Sequence, residues 1–240
     1  MNTKPSRFQR ASLARLISSL ALMSTVAAWA LPGASAAADA TAAPIEPYLM
    51  ANKDAEIALA RSAAPASVAA HASVMVLDRH GYSTAVKGTN GFVCLVVRSW
   101  DNEFDSKSTV FWNPKFRAPF CLNASGAQYE LTLYLLRTQW AFAGASQKEM
   151  AAREKTAWAA GKLHAPEAGA MCYMMSRRGN LGGGSAWHSH VMFYVANEQA
   201  SGWGANLPRV PIMGAASDHA TIFFVMVPYW SDGTAESGAE

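Results

Sequence analysis

The sequence predicts an α+β fold with a largely antiparallel sheet and a helical segment in the middle. Two observations support this prediction. Short runs of β-branched and aromatic residues occur early and late in the chain that follows the N-terminal segment. Residues that favour helix, with an N-cap signal, lie between them. Strands at both ends of a helical middle are typical of α+β domains, whereas regular alternation of strands and helices would indicate a parallel sheet.

The N-terminal segment has the order of charge and apolarity that is typical of a bacterial export signal. Four basic residues come first, no acid precedes Asp39, and residues 16–31 are mainly Leu, Ala and Met. Small residues follow at 34–38, as a signal peptidase requires. The apolar stretch is shorter than the roughly 20 residues that a spanning helix needs. We therefore predict that residues 1–36 are a cleaved secretory signal peptide and that no permanent membrane span remains.

The charge balance of the exported chain argues against nucleic acid as a partner. The full chain has 20 Lys and Arg against 17 Asp and Glu, and four of the basic residues lie in residues 1–36. Cleavage would leave 16 basic against 17 acidic side chains. No basic patch remains that would bind a phosphate backbone. We expect a periplasmic or secreted bacterial protein.

The exported chain is predicted to consist of a short leader and one domain. Residues 37–51 are rich in Ala and Pro, which favours a flexible leader. Residues 52–240 carry enough Val, Ile, Phe, Met and Trp for the hydrophobic core of a single soluble α+β domain. The domain is expected to open with a helix at 54–63, which Pro65 would end.

Three strand-like runs follow this helix, at 74–77, 83–87 and 92–98. The connection between the second and third runs contains Asn90-Gly91, a pair that accepts the positive φ of a tight turn. We therefore predict a β-hairpin over residues 83–98. Residues 100–126 contain prolines and no regular apolar period, so they are expected to be irregular.

The middle of the chain contains the helical signals. The stretch up to residue 141 fits a helix that starts near Ser125, although residues 131–135 would also fit a strand. Ser146 and Glu149 have the spacing of a capping box and predict a helix at 150–160. The last part of the chain alternates predicted strands at 170–176, 188–195 and 220–227 with Gly-rich loops at 177–186 and 197–217.

Three cysteines occur in the chain, and an oxidising compartment favours one disulfide among them. We expect the bridge to join Cys94, which lies in a predicted strand, to Cys121 in the segment that returns from it. Cys172 lies in an apolar run, where a buried thiol that does not react is the simplest interpretation. A nucleophilic Cys172 is disfavoured because a reactive thiol needs an electropositive, accessible setting.

The segment around His188 and His190 is the strongest candidate for a functional site. Residues two apart on a strand point to the same side, so the two imidazoles would lie next to each other. Such a pair can bind a divalent metal such as zinc when a third ligand comes from elsewhere. The sequence does not select among the candidates for that third ligand, which are His80, His164, His219, Glu198 and Asp218. Two structural histidines at the start of a strand are the alternative.

A second candidate site is the Gly-rich loop that precedes these histidines. It contains two arginines and three consecutive glycines, namely Arg177, Arg178, Gly182, Gly183 and Gly184. Consecutive glycines let backbone amides converge on an anion, and the arginines would add charge. The loop lacks the Gly-Lys-Ser/Thr ending of a P-loop. A loop that closes over a ligand and a simple hairpin loop both remain open.

Residues 87–94, 169–175 and 187–190 together resemble a group of exported bacterial hypothetical proteins without an assigned activity. The resemblance implies export and a shared domain, and it implies no reaction. We therefore expect an exported domain that binds a small molecule or an envelope protein. The alternative is a metal-dependent enzyme, either a hydrolase or an oxidoreductase, that uses His188 and His190.

Overall fold

A computed structural model describes residues 44–101, 111–182 and 188–236. Within these residues, one eight-stranded sheet has the order β2-β1-β3-β4-β5-β6-β8-β7. All neighbouring strands are antiparallel except β1 and β3, which are parallel. The strands are β1 (Ser73–Asp78), β2 (Gly81–Val86), β3 (Val93–Val97), β4 (Ala118–Leu122), β5 (Met171–Met174), β6 (His190–Val195), β7 (Ile212–Ala216) and β8 (Thr221–Met226).

The helices of the described residues lie in two groups, one before the sheet begins and one in the middle of the chain. They are α1 (Lys53–Arg61), α2 (Ala66–Ala69), α3 (Ala124–Gly126), a π-helical turn (Ala127–Leu131), α4 (Thr132–Phe142) and α5 (Gln147–Ala159). The predicted α+β class with a helical middle is thus confirmed. Among the described helices, none has the length and apolarity needed to cross a bilayer.

Asparagine and serine side chains set the starts of the helices. Ser146 and Glu149 form the predicted capping box of α5, since each side chain bonds the backbone N–H of the other residue. The N-cap of the middle helical segment is Asn123, where the sequence had suggested Ser125. The alternative of a strand at 131–135 is excluded, because these residues are helical.

Helices cover the two faces of the sheet unequally. On the inner face, α4 and its flanking residues pack on β3 to β6, and Tyr134 lies edge-on to Phe120 with 5.8 Å between ring centroids. On the outer face, α1 packs on β1, β3 and β4. The disulfide cysteines lie under α1 on this outer face, whereas Cys172 belongs to the inner core.

The predicted hairpin over residues 83–98 is wrong, because β1 lies between β2 and β3 in the sheet. Val74 of β1 pairs with Val86 on one side and with Cys94 on the other. The connection passes over the start of β1, where the Gly88 N–H donates to Ser73 Oγ at 2.9 Å. A Cβ at Gly88 would lie 2.1 Å from the Ser73 nitrogen, so this crossing needs glycine.

Two strands lie in segments that the sequence assigned to loops. β4 occurs within 100–126 and contains Pro119, which argues against an internal strand. Its pairing with β5 is confined to Cys121 and Leu122, so the ladder on that side does not extend to the proline. β7 occurs within 197–217 and forms the end of the sheet.

The described residues include part of the predicted leader. Residues 46–48 form a turn of 3-10 helix, and Tyr48 is fully buried with its ring centroid 4.6 Å from that of Trp100. The core of the domain therefore uses a residue that precedes position 52.

Candidate functional site

The three cysteines are arranged as the sequence predicted. Cys94 and Cys121 lie directly opposite each other on β3 and β4 and form the disulfide. Cys172 is unbridged and buried. Burial raises the pKa of its thiol well above the ordinary value, and the Tyr194 hydroxyl donates to Sγ at 3.4 Å. A thiol in this setting stays protonated, which disfavours a nucleophilic role.

His188 lies just before β6 and is held by an acid that the sequence had not singled out. Its Nδ1 is 2.7 Å from Oε1 of Glu236. The other carboxylate oxygen of Glu236 accepts from the Ser189 N–H at 2.9 Å. Glu236 therefore fixes the approach of the chain to β6 as well as the imidazole of His188.

His190 is the first residue of β6 and is half-buried. Its Nδ1 donates to the carbonyl oxygen of His188 at 2.6 Å, because a carbonyl can only accept. Burial lowers the pKa of His190 below its ordinary value, although the bond to the His188 carbonyl and the charge of Glu236 oppose this. The imidazole is therefore neutral at pH 7, with its proton on Nδ1 and its lone pair on Nε2.

The part of the chain that the structure describes contains no group of three His, Cys, Asp or Glu side chains that could hold a metal ion. Two of the proposed third ligands have other positions. His219 stacks on Trp158 of α5, with ring centroids 3.8 Å apart, and His80 lines a cleft beside α4. A zinc site at His188 and His190, and the enzyme that would use it, stay predictions.

The arginines of the Gly-rich loop bind other parts of the domain. Arg177 Nε lies 3.1 Å from a carboxylate oxygen of Asp232. Arg178 donates to the backbone carbonyl of Ala58 in α1 at 2.6 Å. Gly182 has a φ of +75° and accepts from the Asn113 side chain through its carbonyl. Gly183 and Gly184 lie outside the described residues, so the proposed anion loop stays a prediction.

The cross-strand neighbours of His190 are two methionines. Met174 of β5 lies opposite His190 on one side, and Met226 of β8 lies opposite it on the other. Sequence reasoning had assigned the run that contains Met174 to the apolar core. Only the strand register identifies the two thioethers as neighbours of the imidazole, although the high Met content was visible in the sequence.

The outer face is apolar and only half-buried beyond the area that α1 covers. We call this surface the outer apolar face. Its members share one side of β5 to β7 and are Met171, Val191, Phe193, Ile212 and Val225, and Tyr173 borders them where it packs against the cluster under α1. Each of these residues lies opposite another apolar residue on a neighbouring strand. The result is a continuous hydrophobic surface on one half of the sheet.

Trp203 lies on this surface at the far side of the sheet. Its indole stacks on Phe223 with ring centroids 4.5 Å apart and planes 5° from parallel. The ring of Phe193 is 5.7 Å away. Trp203 is 37% exposed, so the side of the indole that does not contact Phe223 is accessible. The large apolar side chains that are exposed within the described residues all come from 203–229: Trp203, Leu207, Met213 and Tyr229.

The terminal strand β7 is protected along its outward side. The Asn206 side chain accepts from the Gly214 N–H and donates to the Gly214 carbonyl, both at 3.0 Å. The Asn206 backbone N–H also donates to the carbonyl of Ile212 at 2.9 Å. Asn206 thereby satisfies three of the peptide groups with which an additional strand would pair.

Two clefts of about 320 and 350 Å³ lie away from the outer apolar face. The first is between β2 and α4, beside Tyr82 and Phe142, and the second is between α4 and α5, beside Trp140 and Arg153. Comparison with family models, curated proteins and solved structures finds no match to this chain. The likeness to exported bacterial proteins therefore stays a prediction.

Proposed function

We propose that this protein is an exported domain that acts by binding a protein partner, and that its outer apolar face is the interface between two copies of the chain. The observation that carries the proposal is the half-buried apolar surface of β5 to β7, which ends at the exposed indole of Trp203. Apolar surfaces of this kind mark interaction sites, because leaving them in water is unfavourable.

The shape of this surface favours a protein over a small molecule. Ligands of low molecular weight bind in concave pockets that bury most of their surface. The outer apolar face is one side of a sheet, and the two described clefts lie elsewhere. A broad apolar surface with a rigid aromatic residue at its border, here Trp203 stacked on Phe223, resembles a protein interface with an aromatic anchor.

The charge of the segment supports a second copy as the partner. Residues 188–236, which supply β6 to β8 and Trp203, contain five charged residues and no Lys. Interface cores are depleted in Lys, Asp and Glu and enriched in aromatic residues and Met. A surface with few charges can pack against itself without repulsion, as the isologous interface of a two-fold dimer requires.

Sedimentation velocity of the untagged exported protein over a range of concentrations tests this proposal. We expect a dimer that dissociates on dilution. Ile212→Lys places a charge in the outer apolar face and should weaken the dimer by at least about tenfold, equivalent to about 1.4 kcal/mol. Thr84→Lys adds the same charge to β2, at the opposite end of the sheet, and should leave the association unchanged.

The result that would overturn the proposal is a wild-type protein that stays monomeric at every concentration. A dimer that Ile212→Lys does not weaken would overturn it as well, since the interface would then lie elsewhere. Circular dichroism of both variants checks that the substitutions leave the fold intact.

A further inference from the structure

His190 lies between two methionines on the inner face, at the point where β6 begins and β5 and β8 end. Its neighbour on β5 is Met174 and its neighbour on β8 is Met226, and both pairs are in direct antiparallel register. Residues opposite each other in such a pair have Cβ atoms about 4.5–5.5 Å apart and point to the same side of the sheet. The order thioether, imidazole, thioether therefore runs across three adjacent strands.

The backbone orients this imidazole in the way that metal-binding histidines are oriented. The Nδ1–H of His190 donates to the His188 carbonyl at 2.6 Å. This bond places the lone pair on Nε2 and fixes the plane of the ring. Metal-bound histidines commonly donate their other ring N–H to a backbone carbonyl for this reason.

The surroundings of the three side chains are apolar and partly accessible. Met174 is 6% exposed and belongs to the inner core, whereas His190 and Met226 are half-buried. The ring of Phe224 lies 5.7 Å from the ring of His190. Met213 of β7 pairs with Phe224, so its exposed thioether lies diagonally next to Met226, on the solvent side. The three side chains therefore lie in a mainly apolar environment that is partly accessible to solvent.

We propose that Met174, His190 and Met226 form a binding site for a soft monovalent metal ion, Cu(I) or its analogue Ag(I). Thioether sulfur is a soft ligand that selects Cu(I), and imidazole binds copper as well. All three ligands are neutral, so they do not offset the charge of the ion. Transfer into an apolar site costs a divalent ion far more than a monovalent one, because the Born energy rises with the square of the charge. The ligand set therefore disfavours zinc.

This site is distinct from the zinc site that the sequence predicted and from the proposed interface. The predicted zinc site and this site share only His190. His188, which Glu236 binds, is not a ligand here, and two thioethers take its place. This site lies on the inner face of the sheet, whereas the proposed interface is on the outer face. Failure of one proposal therefore leaves the other unaffected.

Two titrations of the untagged exported protein test the site. The first adds Ag(I) in a chloride-free buffer and follows the methionine methyl signals by NMR. The second measures Cu(I) binding without oxygen, in competition with bicinchoninate. We expect one ion per chain and shifts in the methyl signals of Met174 and Met226. Met226→Leu keeps the volume of the side chain and removes its sulfur, and it should lower the affinity at least about tenfold. Met174→Leu and His190→Leu should do the same.

Two controls separate this site from other soft ligands. Met150→Leu removes a fully buried thioether from a different cluster and should leave binding unchanged. Cys172→Ala removes the only thiol outside the disulfide and should also keep the ion. Loss of binding in Cys172→Ala would assign the ion to the thiol and overturn the proposal. A folded wild-type protein that retains neither ion, or unchanged affinity in Met226→Leu, would overturn it too.

Discussion

The Arg98 guanidinium donates to the Glu56 carboxylate at 2.8 Å, and both side chains are almost completely excluded from solvent. The same carboxylate oxygen accepts from the backbone N–H of Leu77 at 3.1 Å, and Arg98 Nε donates to the carbonyl of Tyr48 at 2.9 Å. These bonds join α1, β1, the end of β3 and the N-terminal turn. The pair thus connects elements that are distant in the sequence. Because both side chains are excluded from water, each charge depends on its protein partners for stabilisation.

Removal of either partner of this pair should strongly destabilise the domain. Arg98→Met would leave a buried carboxylate without its cation, and we expect a loss of about 3–5 kcal/mol in the free energy of unfolding, measured with urea. The exposed pair of Arg79 and Glu46 is the control, because Arg79→Met should cost less than about 1 kcal/mol. Equal effects of the two substitutions would contradict the role assigned to burial.

Asp101 should make the stability of the protein depend on pH. Burial raises the pKa of this carboxyl from 3.8 to about 8, although Arg137 opposes the shift. The folded chain therefore binds the proton more tightly than the unfolded chain, and its contribution to stability falls as the pH rises from about 4 to about 8. Asp101→Asn should remove this dependence.

Urea unfolding of the wild type and of Asp101→Asn across this pH range measures the effect. The free energy of unfolding of the variant, relative to that of the wild type, should increase by more than about 1 kcal/mol as the pH rises from about 4 to about 8. A constant difference between the two proteins would show that Asp101 does not titrate there.

The disulfide should contribute mainly by restricting the unfolded chain. Cys94 and Cys121 are 27 residues apart, and a loop of this size corresponds to roughly 3–4 kcal/mol in the chain-entropy model. We expect the double variant Cys94→Ala/Cys121→Ala to lose about this much stability in urea unfolding. Cys172→Ala is the matched control, and a loss of equal size there would point to cavity formation as the cause.

Asn123 should be a more important cap than Asn52, although both are N-caps. The Asn123 side chain accepts from the N–H groups of Gly126 and Met171 and donates to the Gly169 carbonyl, so it joins the helix to β5. The Asn52 side chain bonds only its own helix start. We expect Asn123→Ala to cost about 2 kcal/mol or more and Asn52→Ala about 1 kcal/mol in thermal or urea unfolding. The reverse order would contradict this assignment.

Local signals in the sequence were sufficient for the fold class and failed for the strand order. The capping box at Ser146 acts within one turn of helix, so the sequence predicts it correctly. The turn signal at Asn90-Gly91 is also local, but β2 pairs with β1 because Val86 and Val74 meet, which depends on a distant part of the chain. Pro119 is a second example. A proline is tolerated in β4 because β5 pairs only with Cys121 and Leu122, and the sequence does not show where this pairing ends.

The candidate sites show this limit more clearly. His188 and His190 are two residues apart, so the sequence pairs them directly. Met174 and Met226 lie 16 and 36 residues from His190 and meet it only through strand register. Glu236 binds His188 from 48 positions along the chain. No periodicity within a single segment contains this information, because it arises from the pairing of strands.

The bonds between Asn206 and Gly214 have a consequence for the behaviour of the protein at high concentration. A terminal strand with open peptide groups can template further strands and grow into fibrils. Here Asn206 occupies the N–H and the carbonyl of Gly214 and the carbonyl of Ile212, so a strand added beside β7 would find three of its pairing groups already bonded. Extension of the sheet beyond β7 is therefore disfavoured, which lowers the tendency of this end of the sheet to assemble into fibrils.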